Sequence, residues 1–161
     1  MDRRQFIGGT VAVGTIVIAG CSGRSSGGPE GAAERYFNAV KEGDVEEANK
    51  VLHPDSEIYP HEESDFQSET NISLNEINQV TAEGVFESEA SDEEVEVATE
   101  EEIEALSGEF KRMGEQAVNK TDSDEYAFVI VSFSEGETKR EISQLMIQDD
   151  GNWYVHTIGL V

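Results

Sequence analysis

Apolar residues recur along this chain with two periods, and the switches between them mark out its elements. Ala32, Ala33, Tyr36, Phe37 and Val40 fall three and four residues apart, the spacing that lines one face of a helix, and Pro29 suits a first helical turn. Gly43 stops that helix. Asp44 then caps a second one, with Glu47 three residues on, and Val45, Ala48, Val51 and Leu52 form its apolar stripe before His53-Pro54 ends it. Residues 54–71 are polar and predict an irregular loop with a short strand around Ile58-Tyr59. Ile72, Leu74, Ile77, Val80, Val85 and Phe86 predict a strand over 72–88, bent or bulged near Gly84. Beyond a charged connection, Asp92 to Glu96, Thr99 and Glu102 make a capping box. It opens the most regular helix, 100–118, on Ile103, Leu106, Phe110, Met113 and Ala117. Segments 124–134, 138–148 and 152–160 follow as strands, parted by turns at Glu135-Gly136-Glu137 and Asp149-Asp150-Gly151-Asn152. The pattern predicts an α+β fold: a curved antiparallel sheet of about four strands with three helices packed on it. Tyr36, Phe37, Leu52, Phe110, Val129 and Trp153 are its expected core.

The first twenty residues obey a different logic. Arg3-Arg4 precede an apolar but glycine-rich stretch, Phe6 to Gly20, which is too short and too mildly apolar for a membrane span. It ends in Ile18-Ala19-Gly20-Cys21, a lipobox with small residues before the cysteine, as a signal peptidase requires. Residues 1–20 are therefore expected to be a removable signal, and the arginine pair followed by Phe6-Ile7 resembles a twin-arginine signal, a receptor-read address for folded cargo. Cys21, the only cysteine, becomes the lipidated first residue of the mature chain. Its acyl chains, at about 0.8 kcal/mol per buried methylene, hold the protein on the outer face of the cell membrane. Residues 21–29 are polar and Gly/Ser-rich and make a flexible tether to one domain, 30–161.

Charge changes the picture again. Cleavage removes one acid, Asp2, and two bases, Arg3 and Arg4, leaving 34 acidic against 9 basic residues and a net charge of −25. The acids are dispersed along the whole chain, a pattern that resembles proteins of salt-loving archaea. At 1 M salt the Debye length is about 3 Å and the self-repulsion of such a surface is screened. Nucleic acid is excluded as a partner, because nothing here could neutralise phosphates.

The stretch Glu34-Arg35-Tyr36-Phe37-Asn38-Ala39-Val40-Lys41-Glu42-Gly43-Asp44 to Ser56, with the closing Asp150-Gly151-Asn152-Trp153-Tyr154-Val155, resembles nuclear transport factor 2-like proteins. Theirs is the cone-shaped fold shared with ketosteroid isomerases and SnoaL-like polyketide cyclases. The resemblance implies the same element order, a cone whose interior is a candidate pocket, and a candidate homodimer through the open sheet face. In the isomerases it implies a tyrosine at the position of Tyr36 as oxyanion donor and an aspartate base shortly after the second helix. Here that later position falls near Ile58-Tyr59-Pro60, with no carboxylate in register.

Other chemistry is sparse. His53, His61 and His156 are the only histidines; with Glu62 and Glu63 two of them could approach a metal, yet their spacing matches no ligand pattern, so neither metal nor cofactor is expected. Tyr36, Trp153 and His156 are the candidate pocket residues. Asn71 and Asn119 head glycosylation sequons. Two functions follow: a membrane-anchored binding or interaction module, favoured by this poor inventory, or a small-molecule isomerase or cyclase using Tyr36 and His156.

Overall fold

The computed structural model describes residues 27–65, 72–89 and 99–159. Helix α1 spans Pro29–Glu42 and ends at Gly43, whose φ of 70° lets its N–H turn back to the Ala39 and Val40 carbonyls. Asp44 Oδ1 accepts from Glu47 N at 2.9 Å and starts α2, Val45–Val51. After a 3₁₀ turn at Glu63–Asp65 come β1 (Ile72–Val80), α3 (Ala82–Glu89), α4 (Glu100–Thr121), β2 (Glu125–Glu135), β3 (Thr138–Asp149) and β4 (Asn152–Ile158). Thr99 and Glu102 close the anticipated capping box.

The four strands form one antiparallel sheet in the order β1-β2-β3-β4. Two tight turns set its register: Gly136 takes φ 62° between β2 and β3, and Asp150 and Gly151 take φ 48° and 77° between β3 and β4. Positive φ at both central residues matches the right-handed twist of the strands they join.

Both faces of this sheet are covered. Side chains alternate across a strand, and in β2 Ala127, Val129, Val131 and Phe133 join α1 and α2 in one core, while Phe128 joins α3 and α4 in another. Met146 and Val155 belong to the first core, Leu145 and Ile147 to the second. The result is a sheet between two helix pairs. All six residues expected in the core are buried.

Two elements differ from expectation. Residues 82–89 form a helix where the strand was to continue, because Thr81 Oγ1 accepts from Gly84 N at 3.2 Å and Ala82, Val85 and Phe86 share a helical face toward α4 and the sheet. The strand's irregularity sits between Leu74 and Glu76, not at Gly84. Ile58-Tyr59 lie in turns rather than a strand: Tyr59 N donates to Ser56 O at 3.2 Å.

Candidate functional site

The chain leaves α2 alongside β4. Leu52 forms a parallel bridge with Val155, and His53 N donates to Val155 O at 3.0 Å, so a short piece of backbone covers the outer edge of the last strand. Leu52 goes into the first core, and the His53 ring, only 4 % exposed, meets Tyr154 (centroids 5.7 Å) and His156 (6.3 Å) edge-on. Asp55 N donates to His53 Nδ1 at 3.2 Å, which places the proton of neutral His53 on Nε2, 3.6 Å from Asp149 Oδ2.

His156 owes its position to a bulge. Val155 pairs with Met146 and Thr157 with Leu145, leaving His156 as the extra residue of β4. Its carbonyl, freed from the ladder, accepts from Ser56 Oγ at 2.5 Å, and Ile58 N donates to the same oxygen of Ser56 at 3.3 Å. The ring is 8 % exposed, and its buried Nδ1 has no hydrogen-bond partner among the described residues. Burial first, then the neighbouring His53 and Lys120, hold the His156 imidazole below the ordinary histidine range.

Tyr36 lies elsewhere. It is buried in the first core, and its hydroxyl meets His61 Nε2 at 2.6 Å; burial pushes its pKa far above that of a free phenol. Asn49 of α2 holds the backbone of His61 from both sides, accepting from His61 N at 2.8 Å and donating to His61 O at 3.0 Å. Trp153 also belongs to the first core, and with the Gln148 amide oxygen turned toward it the indole N–H donates at 3.2 Å. Of the three candidate pocket residues, Tyr36 and Trp153 therefore share the first core with their polar atoms engaged, while His156 pairs with His53.

No family model, curated protein or solved structure matches this chain.

Among the described residues no group of three or more His, Cys, Asp or Glu side chains is placed to hold a metal ion. A groove of about 290 Å³ lies along α4 and the start of β2, lined by Glu115, Val118, Asn119, Asp124, Glu125 and Tyr126. None of Tyr36, Trp153 and His156 lines it. Asn119 sits in the last turns of α4, its amide donating to Glu115 O at 2.7 Å, and Thr121 Oγ1 donates to Ala117 O at 2.8 Å. That sequon is thus wound into a helix, both its functional side chains bonded to helix carbonyls. Cys21, Arg3, Arg4 and Asn71 lie outside the described residues.

Sequence reasoning missed the association of His53, Ser56, Asp149 and His156. Its only local sign was a histidine directly after Leu52, the apolar C-cap of α2.

Proposed function

We propose that the protein is an exported lipoprotein, held on the outer face of the membrane through Cys21, whose domain is a binding or interaction module. The observation that carries this reading is the lone cysteine behind Ile18-Ala19-Gly20, preceded by the arginine pair and an apolar stretch too short to span a bilayer. The dispersed acid excess supports work in a salt-rich exterior, where screening lets a surface of this charge remain compact. The order of two helices, strand, helices and a three-strand meander supports the likeness to nuclear transport factor 2-like domains. Against the isomerase or cyclase reading, the Tyr36 hydroxyl is already bonded to His61.

Cell fractionation of Cys21→Ser tests the proposal. The variant is expected to fold as wild type, because residue 21 precedes every helix and strand described, and to leave the membrane fraction as soluble or uncleaved protein. Retention of Cys21→Ser in the membrane at wild-type level would refute the lipid anchor.

A further inference from the structure

All three histidines of the chain belong to one device. His53 and His61 stand at the two ends of the segment 53–61, and His156 receives the first end on the strand it covers. The ends are fastened in different ways. At the second end, Tyr36 and His61 share a bond between two atoms that can each donate or accept. If His61 takes a proton, its Nε2–H donates to the phenol oxygen and the bond survives with its roles reversed. Asn49 holds the His61 backbone whatever the charge on the ring.

The first end has no such tolerance. His156 is buried with an unpartnered Nδ1, edge-on to His53 at 6.3 Å. A proton on His156 makes Nδ1 a donor facing no acceptor among the described residues and sets a charge beside a second imidazole. The groups facing the pair from each packed element are His53 after α2, Tyr154 of β4, Asp149 of β3, Lys120 of α4, and Asp55 and Glu57 of the segment itself. Asp55 and Glu57 favour the charged His156, but they rank behind burial, His53 and Lys120, which oppose it.

We propose that residues 53–61 are an acid-released strap: protonation of His156 frees its His53–Ser56 end, while the His61 end stays hinged on Tyr36 and Asn49. Release breaks the bonds of His53 N to Val155 O and of Ser56 Oγ to His156 O, and so uncovers the β4 edge. The sign follows from linkage. The closed strap binds fewer protons than the open one, so the stabilisation of closure by neutral His156 is fully present above the ordinary histidine value of 6.5 and diminishes as pH falls below it.

Amide hydrogen exchange at fixed molar salt, expressed as protection factors between pH 7.5 and 5, tests this. Protection at His53, Ser56 and Tyr59 is expected to fall with acid, by no more than about tenfold per pH unit for one titrating group, while Val129 and Val131 in β2 keep theirs. His156→Phe, which cannot titrate, should abolish the pH dependence, and His61→Gln should retain it. Protection at His53 and Ser56 that ignores pH would overturn the proposal. So would equal loss in β2, or a dependence that persists in His156→Phe. Should that variant not fold, titration of the wild-type histidine ring signals decides instead. Strap opening must follow His156, and opening that follows His61 would refute the assignment.

Discussion

Two glycines in α4 predict opposite responses to the same substitution. Gly114 is buried where α4 crosses β2, and a Cβ added there would stand 2.4 Å from Tyr126 Cδ2 and Cε2 and 2.7 Å from Cγ. Carbon atoms in good contact lie about 3.5–4.0 Å apart, so the overlap exceeds about 1 Å at the first two atoms. Turning the ring about its own axis does not help, since Cγ lies on that axis; the whole side chain must swing, and Phe128 stands against it at a centroid distance of 5.6 Å. Overpacking of this kind costs about 1–3 kcal/mol, against a gain of about 1 kcal/mol from replacing glycine inside a helix. Gly108, six residues earlier in the same helix, would place its Cβ in open space and receives the gain alone. Gly108→Ala should therefore stabilise by about 0.5–1 kcal/mol, and Gly114→Ala should destabilise by up to about 2 kcal/mol. Denaturant melts at a fixed salt concentration resolve both, read as shifts in midpoint at unchanged slope. If Gly114→Ala stabilises as Gly108→Ala does, α4 does not cross the sheet on Tyr126.

Other expectations follow from the core, the strap and the surface. Leu145→Ala, at a fully buried position in the second core, should cost about 2–5 kcal/mol, whereas Leu106→Ala, 41 % exposed on α4, should change denaturation by less than about 1 kcal/mol. Ser56→Ala leaves the buried His156 carbonyl without its hydroxyl donor and should cost about 1–3 kcal/mol, with exchange protection lost first at His53 and Ile58. The thermal midpoint of residues 21–161 should rise from millimolar to molar salt as the repulsion of 25 excess negative charges is screened; a midpoint that stays level or falls contradicts the halophilic reading.

What could be read from the chain was what depends on near neighbours. Thr99 and Glu102 make their capping bonds three residues apart, Gly43 stops α1 with its own backbone, and Asp150-Gly151 turns between two strands; each appears where its residues placed it. The β1 region resisted because its irregularity between Leu74 and Glu76 reverses the alternation. Ile72, Leu74 and Ile77 consequently face one core and Val80 the other, which no fixed period of two describes. Val85 and Phe86 read as strand residues by type, but the fold uses them as a helical pair. The association of His53 with His156 was hidden for a different reason. It depends on the end of α2 meeting the edge of β4 through a single bridge at Leu52, and on a bulge that re-aims His156, both products of packing between segments about a hundred residues apart. Tyr36 and Trp153 were expected both in the core and as candidate pocket residues, and both lie buried in the first core.

The central claim concerns residue 21, and an intact-mass measurement on native protein extracted from membranes tests it directly. The account predicts a mature chain that begins at Cys21, heavier than residues 21–161 by the mass of its lipid, with no thiol that reacts with an alkylating reagent. A chain that begins at Met1, or a Cys21 thiol that alkylates freely, would contradict it.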